Sequence, residues 1–400
     1  MQLSLCMIVK NEAELLPDCL SSVQGLADEV ILVDTGSTDA TIEIGQQWGV
    51  QVYSYPWRSD FAAARNHSLS YAKGDWVLVL DADEVVVPDV IPVLRQAMQQ
   101  DDYLLINLLR HELGSHQSPY SLVSRLFRNR TDIFFHRPYH ELVDDSIQVI
   151  LNREPHWRVG CIQDVALLHK GYEPERINRK DKFNRAKDIL EQALIDNPND
   201  AYLYSKFGAL CWEMGNRERG LGLLHRGLEL VSVADSAVQY ELHFHLGTFY
   251  SELNQFDSAL FHYQMAWKQP IPPRLRLGSL NNWANLLQGK GDLPEACMLY
   301  EKVVAIAPDF AVGYFNLGAA LKAMGLLPES IVQYRKAIAL QPEYAEAYQN
   351  LGVVLFKQGK VRDSFLAFKQ AISLYETQRS PEGQLLREKL GVFGFSWDGV

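Results

Sequence analysis

The sequence predicts an α/β domain with a mainly parallel, Rossmann-like sheet over residues 1–172. A connecting and capping helix follows over 173–200, then an all-α repeat solenoid over 201–400. Three observations lead to this division. Up to Glu84, short apolar runs alternate with stretches of helical spacing, the pattern of strands joined by crossover helices. Three of those runs end in polar, acidic or glycine-containing tips. From about Glu173 strand-like runs vanish, and a helical pattern recurs every 34 residues, as between Gly318 and Gly352.

Taken in order, Leu3 to Val9 reads as a buried strand stopped by Lys10-Asn11-Glu12. Leu15, Leu16, Cys19, Leu20 and Val23 then fall at helical spacing within Glu14–Gln24. Glu29 to Val33 is a second strand, followed by Asp34-Thr35-Gly36-Ser37-Thr38-Asp39, where Gly36 permits a tight turn. A helix over Thr41–Trp48 ends at Gly49, and Gln51 to Tyr55 is a third strand. Ser59 or Asp60 caps a helix from Phe61 to about Ala72.

Trp76 to Leu80 is an apolar run read as a strand buried on both faces, and Asp81-Ala82-Asp83-Glu84 follows at once. A buried strand cannot carry three unpaired anions, so these carboxylates belong where the strand leaves the sheet. In an open parallel sheet that carboxyl edge is where ligands bind. A lone Asp-x-Asp is usually a solvated turn. The convergence of Asn11/Glu12, Asp34/Gly36 and Asp81/Asp83 on one edge lifts it above that reading. No G-x-G-x-x-G follows the first strand and no G-x-x-x-x-G-K-[ST] occurs, which argues against dinucleotide and P-loop sites.

The chain is 47% hydrophobic and 22% charged, with a formal net charge of -11. That balance argues against a nucleic-acid partner held by bulk electrostatics. Five scattered cysteines without a CxxC fit reduced thiols in a cytoplasmic protein. No stretch approaches the roughly 20 apolar residues of a membrane span, which predicts no transmembrane segment and leaves peripheral docking to a membrane open.

Four motifs in register resemble those of family 2 glycosyltransferases with the GT-A fold. They are Met7-Ile8-Val9-Lys10-Asn11-Glu12, Val33 to Asp39, Asp60-Phe61-Ala62-Ala63-Ala64-Arg65-Asn66 and Leu80-Asp81-Ala82-Asp83-Glu84. The resemblance implies an inverting, metal-dependent enzyme of the hexosyltransferase class that uses a nucleotide-sugar donor, most often UDP-linked. It would place Val9, Asn11, Glu12 and Asp34 at the nucleoside, with Gly36 and Ser37 shaping that end of the pocket. Arg65 would lie near the donor, and Asp81 and Ala82 near the ribose. Asp83 would hold a Mg²⁺ or Mn²⁺ against the diphosphate, chemistry that suits a hard cation and carboxylate oxygens.

Beyond Glu84 the pattern loosens. Val90 to Gln100 reads as a helix, Tyr103 to Leu109 as a strand, and Gly114 to Ser121 as a loop. Ser124 to Arg130 and Phe135 to Glu141 resemble the arginine–phenylalanine and His-Glu motifs of this subgroup, which makes Glu141 the candidate base. His169 after an apolar strand resembles the late metal-binding histidine of many GT-A enzymes. His111-Glu112 and His140-Glu141 have Ser115 and Asp144 where a zinc protease needs a second His.

In the C-terminal half Ala284, Gly318 and Gly352 are evenly spaced, as are Tyr334 with Phe368 and Pro308 with Pro342. Small residues at the helix crossings and an aromatic in the second helix resemble tetratricopeptide repeats. Gly208 and Gly247 anchor two less regular repeats, which makes about five, closed by an end-cap helix near Glu382–Leu390. An odd helix over Ile177–Ile195 precedes them and an aromatic tail, Phe393 to Val400, follows. The resemblance implies a surface for a protein or peptide, with Asn281, Asn282, Asn285, Asn316 and Asn350 recurring on first helices. A rival reading is a tetratricopeptide scaffold whose first domain binds a nucleotide sugar without turning it over. A nucleotidyltransferase is disfavoured because Met7 to Glu12 lacks a glycine-rich basic loop.

Overall fold

The computed structural model describes residues 1–115, 119–170 and 179–392. The middle of the predicted 114–121 loop, the boundary at 172/173, the predicted helix start at Ile177 and the tail Phe393–Val400 lie outside the described residues. By proximity of the backbone the chain divides into two compact units, Met1–His245 and Leu246–Val400.

The first unit opens with β1 (Leu3–Val9), α1 (Leu16–Ser22), β2 (Glu29–Asp34), α2 (Thr41–Gln47), β3 (Gln51–Ser54), α3 (Phe61–Leu69) and β4 (Trp76–Val79). It continues through β5 (Glu84–Val86), α4 (Ile91–Met98), β6 (Tyr103–Glu112), β7 (Tyr120–Arg128), α5 (Asp144–Arg153) and β8 (Arg158–His169). The eight strands form one sheet in the order β3-β2-β1-β4-β7-β6-β8-β5. Pairing is parallel from β3 to β4 and between β6 and β8, and antiparallel at β4–β7, β7–β6 and β8–β5. The sheet is thus mixed, with its parallel half at the N-terminal end of the chain.

Alternation along the strands builds two cores. Leu3, Leu5, Met7, Trp76, Leu78 and Leu80 point to a layer with Leu16 and Leu20 of α1 and Leu94 and Met98 of α4. Cys6, Val77, Val79 and Phe127 point the other way, to Ala62 of α3 and Ile147 and Ile150 of α5. Period 2 sends successive residues to opposite faces, so helices cover both sides. Asp60 caps α3 by accepting the Ala63 amide at 2.9 Å, an arrangement worth about 1 kcal/mol.

Several elements depart from the sequence expectations. Glu84 opens a strand, β5, instead of ending the acidic tip, because that edge finds a partner in β8. β6 runs on to Glu112, and β7 begins at Tyr120, inside the stretch read as a loop. α5 has no counterpart in the expectations.

From Arg179 the chain is helical. α6 (Arg179–Asp196) leads into five helix pairs: α7 (Ala201–Glu213) with α8 (Arg217–Leu230), α9 (Ser236–Glu252) with α10 (Phe256–Trp267), α11 (Leu277–Lys290) with α12 (Leu293–Ile306), α13 (Ala311–Ala323) with α14 (Leu327–Leu340), and α15 (Ala345–Lys357) with α16 (Val361–Thr377). α17 (Glu382–Val392) closes the array. In four of the pairs a glycine on the first helix, Gly208, Gly247, Gly318 or Gly352, meets the side chain sixteen residues on. A methyl placed on Gly247, Gly318 or Gly352 would lie 2.7, 3.0 and 2.7 Å from the rings of Tyr263, Tyr334 and Phe368, so only glycine lets these rings seat. The hydroxyls of Ser330 and Ser364 donate to the carbonyls of Gly318 and Gly352, 2.7 and 2.8 Å away. Among the described residues no helix is long and apolar enough to cross a membrane.

Candidate active site

The sheet order sets β2, β1 and β4 side by side in parallel, so their carboxyl ends form one edge. Three polar clusters lie along or beside it.

The first joins the ends of β1 and β2. Asp34 is nearly buried, and its carboxylate accepts the amides of Gly36 at 3.0 Å and Ser37 at 3.1 Å. Gly36 takes a φ of 107°, a left-handed conformation that favours glycine, and the space beside its Cα is open. Asn11, with φ 58°, receives the Thr38 amide on its side chain at 2.7 Å, while its own amide donates to the Ser37 hydroxyl at 2.9 Å. The Glu12 amide donates to the Thr41 hydroxyl, and the Val9 carbonyl accepts both the amide and the hydroxyl of Thr35. Much of this cluster's polar capacity is therefore used in fixing its own turn.

The second cluster is centred on Arg65, whose side chain is only 4% exposed. Its Nη2 donates to Asp81 Oδ1 at 2.6 Å and its Nε to Glu141 Oε1. Arg125 donates to the other oxygen of Asp81 at 3.2 Å. Burial would raise the Asp81 pKa, but Arg65 and Arg125 outweigh it and hold the carboxyl well below the usual carboxylate range. Among the described residues, the Nη1 atoms of both arginines are buried without a hydrogen-bond partner. Glu141 reaches Arg65 from a loop closed by mutual backbone hydrogen bonds between His136 and Leu142. Arg137 and His140 in this loop adopt φ of 69° and 54°.

The third cluster lies where β4 passes into β5. Asp83 Oδ2 is 3.1 Å from His169 Nε2, and His169 Nδ1 faces Glu112. Glu112 also accepts from Arg110 at 2.8 Å and from Ser121, while Arg110 donates to the fully buried Glu84 at 2.6 Å. Glu84 in turn accepts the Asp81 amide at 2.9 Å, linking this cluster to the second. Burial would lower the His169 pKa, but its bonds to Asp83 and Glu112 lift it to about 9. Burial would raise Glu112, but His169, Arg110 and Ser121 bring it down to about 2. The corner favours positive charge on or beside the imidazole. Ala82, between the two aspartates, is buried.

Of the residues singled out by sequence, Asp81, Arg65 and Glu141 come together, and so do Asp83 and His169. Arg110, Glu112 and Arg125 were not singled out. Arg125 lay in the arginine–phenylalanine stretch and Glu112 in a His-Glu pair, but which charges they would meet is set by strand pairing.

Residues 4–160 match the profile of glycosyl transferase family 2. Tetratricopeptide profiles match 276–307, 323–359 and 345–377. A TPR repeat-containing protein of Synechococcus elongatus is 42% identical over 77% of this chain and 76% of its own length. The N-terminal domain belongs to glycosyl transferase family 2, and the chain carries tetratricopeptide repeats. An uncharacterized glycosyltransferase of Rickettsia bellii is 29% identical over 48% of this chain and 68% of its own length. Among solved structures, YrrB, a TPR protein with an unusual peptide-binding site, is similar over 50% of this chain and 97% of its own, at 20% identity and a TM-score of 0.39.

Proposed function

We propose that the carboxyl edge of the sheet binds a nucleotide sugar, UDP-linked, together with Mg²⁺ or Mn²⁺. On this reading the enzyme moves the sugar to an acceptor with inversion, as a hexosyltransferase. The observation that carries it is the Asp83–His169 pair at 3.1 Å, with the second ring nitrogen of His169 held by Glu112. A carboxylate and an imidazole whose far nitrogen is anchored on another carboxylate are a fitting donor set for Mn²⁺. Among the described residues no group of three or more His, Cys, Asp or Glu side chains is gathered to hold an ion. The protein would thus supply two donors, and phosphate oxygens and water the rest. When bound, the ion supplies positive charge against the diphosphate leaving group.

The chain's own residues would do the remaining work. Asn11, Glu12, Asp34, Gly36 and Ser37, with Val9 behind them, shape the nucleoside end. Arg65 and Arg125 fix Asp81 toward the ribose beside Ala82, and their unpartnered Nη1 atoms add positive potential for the diphosphate. Glu141 gives one oxygen to Arg65, and its other oxygen takes the acceptor's proton. The acceptor oxygen then bonds to the anomeric carbon as the bond to the diphosphate breaks, its electron pair leaving with the nucleoside diphosphate. A single displacement of this kind inverts the centre. The repeats hold a protein or peptide, and the proposed setting is the cytoplasm. The test is UDP release from UDP-glucose, UDP-galactose and UDP-N-acetylglucosamine, with and without Mn²⁺. Release that needs the ion and falls by about a hundredfold in Asp83→Ala supports the reading. Full activity in that variant removes the metal assignment, and no release from folded protein favours a scaffold that turns nothing over.

A further inference from the structure

The loop that carries Glu141 is held from two sides. On the sheet side the Phe61 amide donates to the Pro138 carbonyl at 2.9 Å, and the Phe61 and Tyr139 rings lie 5.7 Å apart. On the helical side Arg137 pairs at 2.8 Å with Asp200, which also caps α7 by accepting the amides of Tyr202 and Leu203. Tyr139 packs onto the cluster of Leu190, Leu203 and Phe207. The first helices after the sheet therefore help to set where Glu141 stands.

Those helices also bring polar groups to the same place. Lys206 of α7 and Glu241 of α9 form an ion pair at 2.7 Å, both half-buried. Tyr202 feels the charges of Lys206, Glu241, Arg137 and Glu141, and burial first of all pushes its hydroxyl up to about 12. The Arg137–Asp200 and Lys206–Glu241 pairs, with the Tyr202 ring against both cations, thus form one polar cluster beside the Glu141 loop, carried by α7 and the first part of α9.

Resting on the proposed donor site and on Glu141 as base, we infer that this cluster lines the acceptor subsite, which takes a basic segment of a polypeptide. Its charge favours a cation. Arg65 already answers Glu141, which leaves Asp145, Asp200, Asp235 and Glu241 against Arg137 and Lys206. An acceptor bearing phosphate would meet excess negative charge there. α7 and α9 are the first helices of successive pairs, and first helices of a stacked array line one extended surface, which suits a chain more than a compact molecule.

The experiment uses the full chain, Mn²⁺, the three radiolabelled UDP-sugars, and pools of serine- and threonine-containing peptides that are basic, neutral or acidic, beside a pool of neutral oligosaccharides. Label should enter the basic peptides. Glu241→Gln should lower kcat/KM for that pool by about tenfold, and leave unchanged the slow release of UDP to water in the absence of acceptor. Asp235→Asn, at an exposed position, should weaken the preference for basic peptides without touching UDP release. Label in the oligosaccharide or acidic pool instead, label in none, or unchanged transfer by both variants overturns the assignment. UDP release that persists through those failures leaves the donor reading standing. Loss of UDP release from wild-type protein removes both.

Discussion

The carboxyl edge of the sheet and the helix pairs from α13 onward are stabilised in opposite ways. At the sheet edge, charged groups are withdrawn from water and answered by other charges: Arg65 by Asp81 and Glu141, Arg110 by Glu84 and Glu112. Non-glycine residues there take left-handed conformations at Asn11, Arg137 and His140. In the helix pairs the same few contacts recur: a glycine under an aromatic ring, and a serine hydroxyl on the glycine's carbonyl. Desolvating ions and straining backbone cost free energy that apolar packing of similar volume avoids. A region that keeps such groups is organised for chemistry, and one that repeats an inexpensive contact is organised to extend a surface.

The largest effect that would sharpen this contrast is at Arg65. Arg65→Ala leaves the Glu141 carboxylate, 8% exposed, without its partner and strips Asp81 of its closer one. It should lower stability by about 3–5 kcal/mol, measured by chemical denaturation. A loss under about 1 kcal/mol would mean that the cluster is effectively solvated. Next comes Gly352→Leu. Its side chain would start 2.7 Å from the Phe368 ring, and the variant should lose about 1–3 kcal/mol while keeping UDP release at the wild-type rate. Loss of release together with stability would break the separation between the two regions.

The smallest effect concerns pH. Burial lowers the His243 imidazole from 6.5 to about 4. A group whose folded pKa is depressed contributes stability above its unfolded pKa, and that contribution is lost as pH falls. Stability should therefore decline as pH falls from about 6.5 toward 4, and His243→Gln should flatten the decline. Identical slopes in the two proteins would show that this histidine does not contribute.

Much of the fold is written in local pattern. β1 runs from Leu3 to Val9 as its apolar run suggests, Asp60 caps α3, and the regular spacing of Gly318 and Gly352 reappears as the rings of Tyr334 and Phe368 seated on them. Period and capping are short-range and can be read along a chain. The sheet edge is less legible because its partners are distant in sequence. Glu84 reads as one more acidic residue at a strand's end. Its burial in β5 depends on β8 and on Arg110, which the sequence does not place beside it. Arg125 and Glu112 gain their positions in the same way, from antiparallel pairing of β7 with its neighbours and from the β6–β8 pairing. The Glu141 loop escapes pattern altogether, since its shape rests on a two-residue bridge and on Arg137 meeting Asp200.

The central claim is that the sheet edge is a cation-requiring nucleotide-sugar site, and thermal unfolding of the full chain with UDP, with and without Mn²⁺, tests it most directly. A nucleotide at about 100 times its dissociation constant adds about 2.7 kcal/mol to the native state. The account predicts that UDP raises the unfolding temperature only when Mn²⁺ is present, and that Asp83→Ala abolishes the rise. No rise in wild-type protein, or an equal rise without the ion or in Asp83→Ala, would contradict it.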